Sequence, residues 1–304
     1  MKNGPIPIVE TASSHILTAN AFTRVRQIQS GSVQLVVTSP PYNMGKSYER
    51  RKEFRDYIEP YREFTGELFR ILGDRGSVCW QVGNYTNNGE VFPLDIQFYD
   101  LFKDAGFILK NRIIWHFRHG LHAKKRLSGR YETILWFSKS ADPTFNLDSI
   151  RVPSLYPGKL AFKGPNRGQP TGNPLGKNPS DFWHDVMLED WETGIWDIPN
   201  VKANHPEKTD HPCQFPVELA ERCILAMSNE MELVVDPFLG IGSTAVAAQR
   251  LNRRFLGFEL DPQFAREARR RVQLSRRGEL PVRVLGTRVP SPQGKVARLP
   301  LTSA

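Results

Sequence analysis

The feature that most constrains the fold is a strand, a glycine-rich turn and a helix that follow one another near the C-terminus. Residues 232–235 (Glu-Leu-Val-Val) form the short apolar run of a buried strand, and residues 243–251 have helical spacing. Between them lie Asp236-Pro237-Phe238-Leu239-Gly240-Ile241-Gly242, whose glycines permit backbone conformations closed to other residues. This order predicts an α/β sheet that binds a ligand at the carboxyl ends of its strands.

A second strand, residues 254–258, follows this unit and is succeeded at once by Glu259. A carboxylate there can accept hydrogen bonds from both hydroxyls of a ribose, which suits an adenosine-containing cofactor. A nicotinamide fingerprint needs a third glycine three residues after Gly242, where this chain has Ala245. Two glycines alone also occur in turns that only pack a helix on a strand. The missing third glycine disfavours a nicotinamide oxidoreductase, and Glu259 disfavours a turn that only packs a helix on a strand, so S-adenosylmethionine is the favoured cofactor.

A buried strand at residues 33–38 stops at Ser39-Pro40-Pro41-Tyr42. The exocyclic amino group of adenine or cytosine is a poor nucleophile because its lone pair is delocalised into the ring. The Ser39 hydroxyl and the Pro40 carbonyl can accept its two N–H bonds and turn the lone pair toward a methyl donor. The prolines stiffen the loop, and Tyr42 offers a ring on which a flipped base can stack. Alone, these four residues are as often an ordinary turn; their occurrence with the glycine-rich turn favours catalysis.

The segments between the motifs alternate between helix and strand, apart from one irregular insertion. We predict helices at residues 92–102 and 216–227 and a strand at residues 131–138, which we interpret as sheet core. Residues 149–180 contain six prolines, five glycines, five Lys or Arg and no acidic residue, which predicts no regular core element. The C-terminal residues are basic and poor in large apolar side chains, as partly disordered segments are. We divide the chain into a first catalytic part (1–141), an insertion (142–208), a second catalytic part (209–274) and a basic, partly disordered tail (275–304).

Together these motifs resemble the β class of DNA amino-methyltransferases, in which the reaction loop precedes the cofactor loop; the resemblance runs from about residue 16 to 273. It implies a Rossmann-like S-adenosylmethionine-dependent methyltransferase sheet with helices on both faces, plus an irregular target-recognition insertion. It implies S-adenosylmethionine as cofactor and no metal. The catalytic residues that it implies are Ser39, Pro40, Pro41 and Tyr42. The cofactor-binding residues that it implies are Asn20, His211, Gln214, Pro216, Asp236, Phe238, Gly240, Gly242, Ser243, Thr244 and Glu259.

Two segments depart from the family pattern. Asn20 stands where relatives carry aspartate, and residues 211–216 (His-Pro-Cys-Gln-Phe-Pro) stand where the family has His-Pro-Thr-Gln-Lys-Pro. Cys213 also resembles the nucleophile loop of cytosine C5 methylases. We reject that alternative because polar residues 204–208, rather than a strand, precede it, and because the reaction loop would then have no role. A protein or RNA amino-methyltransferase and a DNA-binding protein without activity are further alternatives.

Charge favours double-stranded DNA as the partner. The formal net charge is +9, and residues 109–130 hold seven Lys or Arg and three His without an acidic residue. That stretch is either a groove facing phosphates or a solvated face. Within the insertion, Trp183, Trp191 and Trp196 either contact DNA or anchor the insertion to the main domain.

The sequence also indicates where the protein is located and how it assembles. No apolar run approaches the roughly 20 residues that cross a bilayer, the first residues lack a secretory signal, and three cysteines are too few for a disulfide framework. These features predict a soluble cytoplasmic protein that is not a membrane protein. The resemblance adds a homodimer and a possible cognate restriction endonuclease.

The target atom has two candidates, with N6 of adenine ranked ahead of N4 of cytosine. Ser39 in place of an aspartate is the loop form that the resemblance associates with cytosine. Residues 43–46 (Asn-Met-Gly-Lys) instead resemble the continuation found in adenine-modifying members.

Overall fold

The computed structural model describes residues 14–46, 49–117, 120, 122–154, 156, 158–183, 198–201 and 205–283. Strands and helices alternate along this part of the chain. In chain order they are β1 His15–Thr18, α1 Ala21–Arg24, β2 Val33–Thr38, α2 Phe54–Ile71, β3 Leu72–Val82, β4 Asn84–Asn87, β5 Glu90–Pro93, α3 Leu94–Asp104, β6 Ile108–His116, β7 Tyr131–Ser138, β8 Phe182–Trp183, α4 Val217–Met227, β9 Leu233–Asp236, α5 Ser243–Arg250, β10 Arg254–Glu259 and α6 Pro262–Arg276.

One mixed sheet of eight strands organises the molecule, in the order β1-β10-β9-β2-β3-β7-β6-β8. The first five strands in that order are parallel to one another, whereas β7 is antiparallel to both β3 and β6. Helices cover both faces of this sheet. The predicted α/β architecture, a sheet with helices on both faces, is therefore confirmed.

The two faces are built by the alternation of side chains along each strand. On β2, Leu35 and Val37 pack into the layer that holds α4, α5 and α6, while Val36 packs into the layer that holds α2 and α3. Strands with apolar residues on both faces are what a parallel sheet covered by helices requires. The alternation explains why β2 appears in the sequence as a continuous apolar run.

The centre of the sheet is a topological switch point. From β9 the chain passes through α5 to β10 on one side, and from β2 it passes through α2 to β3 on the other. In open α/β sheets such a reversal opens a crevice at the carboxyl ends of the two central strands. The loops after β2 and β9, which carry the two sequence motifs, therefore lie side by side at this crevice.

A small hairpin, β4 with β5, precedes α3 and was missed from the sequence, where we expected a helix from residue 92. Asn88 and Gly89 form its turn with positive φ values of 48° and 87°. An Asn-Gly pair between strands is the strongest short-range hairpin signal, because both positions of a type I′ turn need positive φ. The helix begins only after the hairpin, at Leu94.

The insertion is mostly irregular, but one piece of it joins the main sheet. β8 pairs in parallel with β6 at the edge, and Trp183 is 4% exposed within the hydrophobic core. Its indole N–H donates to the Ser180 carbonyl at 3.0 Å. Trp183 thus anchors the insertion to the main domain, while Trp191 and Trp196 lie outside the described residues.

The C-terminal boundary lies further along the chain than the predicted start of the tail at residue 275. Helix α6 extends to Arg276, and Leu280 and Val282 pack against the core. The backbone N–H of Arg283 donates to the Glu207 carboxylate at 3.3 Å. The remaining residues, 284–304, lie outside the described part of the chain. Within the described part, no helix combines the length and apolar character needed to span a membrane.

Candidate active site

A hydrogen bond joins the two predicted loops at the crevice. The Thr38 hydroxyl, at the end of β2, donates to Asp236 Oδ1, at the end of β9, over 2.6 Å. The same oxygen accepts the backbone N–H of Phe238 at 3.1 Å. One carboxylate oxygen therefore fixes the start of the reaction loop and the start of the glycine-rich turn relative to each other.

The other oxygen of Asp236, Oδ2, is buried and has no hydrogen-bond partner among the described residues. Burial raises the pKa of this carboxyl to about 6, against hydrogen bonds such as that from Thr38, which lower it. A buried polar atom without a partner is costly in a native fold, and such atoms concentrate where a ligand completes the hydrogen bonding. Asp236 therefore fits a role in holding a polar cofactor group, such as the ammonium of S-adenosylmethionine.

The two glycines of the turn have different tasks. Both adopt left-handed backbone conformations, with φ of +55° at Gly240 and +83° at Gly242. A Cβ on Gly242 would lie 2.9 Å from that of Ala268, so this glycine lets α6 pack against the turn. A Cβ on Gly240 would meet only the edge of the His211 ring, at 3.4 Å. Gly242 thus has the packing role, and Gly240 is the glycine whose surroundings leave the backbone approachable.

Glu259 holds the turn from the next strand. Its two carboxylate oxygens accept the backbone N–H groups of Gly240 at 2.8 Å and Asp261 at 2.7 Å. Burial raises the pKa of Glu259. Each carboxylate oxygen retains a second lone-pair site, so the group can still accept from ribose hydroxyls while it braces the turn.

Asn20 lies beside Glu259 because β1 pairs with β10 up to that residue, Thr18 opposite Glu259. Its side-chain oxygen accepts the backbone N–H of Phe22 at 2.9 Å and caps the short helix α1. The structure thus places Asn20 at the cofactor edge and gives its oxygen a capping role.

The predicted segment 211–216 borders the turn. The His211 ring lies against Gly240 and against Phe264, at 4.5 Å between ring centroids, and burial lowers its pKa to about 4. The side-chain amide of Gln214 donates to the carbonyl of Glu207, which precedes this segment in the chain, at 2.9 Å. Pro216 begins α4, and the carbonyl before it accepts the Ser243 hydroxyl at 2.9 Å. These residues support the cofactor loop from outside.

Two predicted residues also hold neighbouring elements together. Phe238 packs in an aromatic cluster, with ring centroids 5.5 Å from Phe64 and 6.1 Å from Trp80. The Thr244 hydroxyl donates to the carbonyl of Val37 at 3.3 Å, tying α5 to β2.

The reaction loop is held from both ends. The Tyr57 hydroxyl of α2 donates to the Pro41 carbonyl at 2.6 Å. The Ser39 and Tyr42 hydroxyls lie 3.0 Å apart, within hydrogen-bond distance. Pro40, which lies between Ser39 and Tyr42 in the chain, is buried. The loop therefore presents one neutral hydroxyl and one aromatic ring in a fixed arrangement.

Glu132, on β7, is a site residue that the sequence analysis missed. Its Oε2 accepts from the Tyr42 hydroxyl at 3.3 Å and from the side-chain amide of Gln81. Burial raises the pKa of Glu132 to about 7, although both hydrogen bonds lower it. The only signal in the sequence was an acidic residue within a strand pattern, Tyr131-Glu132-Thr133, which we interpreted as sheet core.

Residues 43–46 are the segment that resembles adenine-modifying members of the family, and they brace the loop that follows Tyr42. Asn43 is buried with φ of 59°, and its side chain exchanges two hydrogen bonds with the Lys52 backbone, at 2.7 and 2.8 Å. The backbone N–H groups of Asn43 and Met44 both donate to Glu49, at 2.9 and 2.7 Å. These bonds account for Asn43 without a contact to a base.

Part of the predicted basic stretch lies at the same edge as the site. Lys124, Lys125 and Arg126 are exposed in the loop between β6 and β7, at the carboxyl end of β6. β6 runs in the same direction as β3, because both are antiparallel to β7. Arg112 belongs to the same basic stretch, but its guanidinium is ion-paired with Asp95.

Comparison with known proteins agrees with this geometry. Residues 33–270 match the model of the N6 and N4 DNA methylase family. The type II methyltransferase M.BglII of Bacillus subtilis is 41% identical over 82% of this chain and 66% of its own length. The DNA adenine methyltransferase YhdJ of Escherichia coli K12 is 30% identical over 86% of this chain and 83% of its own length.

Solved structures show the same fold. TTHA0409 of Thermus thermophilus, solved in complex with S-adenosyl-L-methionine, is 26% identical with a TM-score of 0.57, over 86% of this chain and 95% of that one. The cytosine-N4-specific PvuII DNA methyltransferase, 20% identical, has a TM-score of 0.64 over 85% of this chain and 86% of that one, which shows the fold alone. The family match spans most of the chain and both loops, so this protein belongs to the DNA methylase family of N6 and N4 amino-methyltransferases.

Proposed function

We propose that this chain transfers a methyl group from S-adenosylmethionine to the exocyclic amino nitrogen of a base flipped out of double-stranded DNA, at a specific sequence. The observation that carries the proposal is the hydrogen bond between Thr38 and Asp236, which places the reaction loop directly beside the cofactor loop. The family match, which includes both loops, supports it.

Each loop then has a defined chemical task. S-adenosylmethionine supplies an activated methyl group on its sulfonium. Glu259 accepts hydrogen bonds from the ribose, and Asp236 Oδ2 accepts from the ammonium group. Ser39 and the Pro40 carbonyl accept the two amino N–H bonds, and Tyr42 stacks on the base. The chain's contribution is positioning and electrostatic stabilisation, because an in-line transfer from a sulfonium needs little base strength.

Contacts with DNA come from two described elements. The exposed Lys124-Lys125-Arg126 loop lies at the catalytic edge and suits phosphate contacts. In the insertion, a small hairpin closed by the bridge of Leu160 with Pro170 carries Phe162, which is 90% exposed, between Lys159 and Lys163. An exposed aromatic ring among cations suits contact with bases and backbone together. We assign target recognition to this part of the insertion.

The target atom follows from the loop chemistry. The adenine preference rested on residues 43–46, and Asn43 is now accounted for as a structural brace. The remaining indication is the neutral hydroxyl of Ser39, the loop form that the family resemblance associates with cytosine. We therefore propose N4 of cytosine first. N6 of adenine is the second candidate, favoured by the 30% identical relative from Escherichia coli, which is described as a DNA adenine methyltransferase.

Nucleoside analysis tests both the proposed methyltransferase activity and the proposed target atom. DNA methylated in vitro by the purified protein is digested to nucleosides and analysed by mass spectrometry. N4-methylcytosine alone supports the first target, and N6-methyladenine alone supports the second. 5-Methylcytosine, or no methylated base in the presence of bound cofactor, would contradict the proposed function.

Assembly and biological setting stay predictions. A homodimer would present paired recognition modules to a palindromic site. Light scattering that gives a mass near 34.7 kDa across the working concentration range, with no dimer on DNA, would contradict it. A cognate restriction endonuclease and a cytoplasmic location rest on the sequence analysis alone.

A further inference from the structure

Three polar side chains form a chain of hydrogen bonds that leads away from the reaction loop. Ser39 Oγ lies 3.0 Å from the Tyr42 hydroxyl, and Tyr42 lies 3.3 Å from Glu132 Oε2. Gln81 donates to the same carboxylate oxygen from β3. Tyr42 therefore connects the hydroxyl of Ser39 with a carboxylate that the family-derived site did not include.

The direction of these hydrogen bonds depends on which of the three side chains carries a proton. A tyrosine hydroxyl and a serine hydroxyl each have one proton, and an ionised carboxylate can only accept. When Glu132 is ionised, the Tyr42 proton is directed to Glu132, so the Ser39 proton must be directed to Tyr42. The free lone pairs of Ser39 then face the place where an amino group would bind.

Protonation of Glu132 permits the opposite direction. A neutral Glu132 can donate to Tyr42, which can then donate to Ser39. The Ser39 proton must in that case turn to another acceptor, and it opposes the N–H of an incoming amino group. The two directions differ in whether Ser39 can act as an acceptor.

We propose that Glu132 is a positioning residue that acts through Tyr42, fixing Ser39 as a hydrogen-bond acceptor for the target amino group. This inference rests on the proposed function, because it assigns Ser39 the acceptor role in methyl transfer. Glu132 itself does not touch the base.

The surroundings of Glu132 are built to maintain this contact. Gly83 leaves the space for it, since a Cβ there would lie 3.1 Å from the Tyr42 ring and 3.4 Å from Glu132. Gln81 is 4% exposed and its amide is directed at the carboxylate, which fixes the position of Oε2. Trp115, on β6 and 2% exposed, pairs with Glu132 on β7.

Among the described residues, few other ionisable groups face Glu132. Tyr42 and Gln81 are the side chains that hydrogen bond to it. His116 on β6 and Tyr131 on β7 form the next pair after Trp115 and Glu132. Because side chains alternate along a strand, this pair is directed to the face of the sheet opposite Glu132. Ile198, the described insertion residue bonded to Trp115, is uncharged. The pKa of Glu132, which burial raises to about 7, places the change of direction near neutral pH.

Single-turnover methyl transfer from radiolabelled S-adenosylmethionine to DNA, measured from pH 5.5 to 9, tests the inference. The wild-type rate should rise as pH increases through about 7 and then level off. Glu132→Gln should lower the rate at pH 8 at least tenfold and remove the rise, with cofactor and DNA dissociation constants within twofold of wild type. Glu90→Gln, an exposed carboxylate on β5, is the matched control and should change nothing.

Tyr42→Phe shows whether Glu132 acts through Tyr42. This variant keeps the ring for stacking and removes the hydroxyl, so its rate should no longer depend on the ionisation of Glu132. Adding Glu132→Gln to Tyr42→Phe should then have no further effect. A folded Tyr42→Phe protein that keeps the wild-type pH profile would overturn the inference, also in the case where Glu132→Gln fails to fold.

Ser39→Ala separates this inference from the proposed function. If Ser39→Ala is inactive while Glu132→Gln has the wild-type rate and pH profile, the positioning role is wrong and the catalytic loop stands. If Ser39→Ala keeps the wild-type rate, the assignment of the loop itself is wrong.

Discussion

Thr38 and Asp236 are 198 positions apart in the chain, yet the hydroxyl of one donates a 2.6 Å hydrogen bond to the carboxylate of the other. Both residues end adjacent parallel strands at the switch point of the sheet. The bond therefore fixes the reaction loop relative to the glycine-rich loop before any ligand binds. Such preorganisation is where positioning enzymes gain much of their rate.

Thr38→Val tests that bond with almost no change in side-chain shape. Hydrogen bonds to charged groups contribute about 1.5–3 kcal/mol, so the free energy of unfolding should fall by about that amount. Cofactor binding should weaken as well, because Asp236 also fixes the cofactor loop. Urea denaturation and titration calorimetry measure the two effects. Thr23→Val on the exposed side of α1 is the control, and equal effects of both variants would contradict the role of Thr38.

Glu259→Ala should weaken S-adenosylmethionine binding at least tenfold. The variant removes a charged acceptor for the ribose hydroxyls, each such bond contributing about 1.5–3 kcal/mol, and it also releases the turn at Gly240. Glu259→Gln, which retains one acceptor oxygen, should lose less affinity. Glu267→Ala on α6 is a control of the same charge change. An unchanged dissociation constant in folded Glu259→Ala would show that the carboxylate does not hold the cofactor.

Ser39→Ala and Tyr42→Ala should retain cofactor affinity and lose methyl transfer, because both act on the flipped base. Calorimetry with S-adenosylmethionine and a radiolabel transfer assay on the same preparations separate the two properties. Cys213→Ser, which changes an exposed thiol, should leave transfer intact. Loss of transfer in Cys213→Ser but not in Ser39→Ala would instead support a C5-cytosine mechanism.

Replacing Lys124, Lys125 and Arg126 together by alanine should weaken DNA binding and leave cofactor binding unchanged. For every phosphate that the variant no longer neutralises, the slope of log K against log salt should become shallower by about 0.9. Fluorescence anisotropy with a labelled duplex at several salt concentrations measures that slope. Lys103→Ala, exposed on α3, is the control for charge. A triple variant with the wild-type slope would remove this loop from the DNA interface.

Arg283→Met should destabilise the fold by about 3 kcal/mol, the lower end for removing one partner of a buried ion pair. Arg283 pairs with Glu218, whose side chain is 1% exposed and keeps Arg222 as a second partner. Arg270→Met, in a pair whose arginine side chain is 60% exposed, should cost under about 1 kcal/mol. Urea denaturation compares the variants, and equal losses would show that the ion pair of Arg283 stabilises the fold no more than an exposed pair does.

Most of the sheet could be predicted because its strands and helices have strong periodic patterns. The predicted strand at residues 131–138 coincides with β7, and the helix of α4 begins within one residue of the expected position. The two loops were predictable because they directly follow such strands. Their direct contact was not, because a hydrogen bond between residues 198 positions apart depends on the strand order.

Glu132 shows why the rest of the site could not be predicted. Along β7 it is one polar residue before a buried run, a pattern equally typical of an exposed strand end. Its role depends on antiparallel pairing, which brings the start of β7 to the carboxyl ends of the parallel strands. Asn43 was noted only through a motif resemblance, and its hydrogen bonds with the Lys52 backbone depend on a loop conformation that the sequence does not reveal.

The strand order also has a consequence for synthesis of the chain. Among the described residues, β2 pairs with β9 on one side and β1 pairs with β10, so neither early strand can complete its pairing before residues after 232 are made. A nascent chain that has not reached that point exposes the apolar edge of β2, which is a template for aggregation. Because the glycine-rich loop is also synthesised late, chains that terminate before residue 236 lack it.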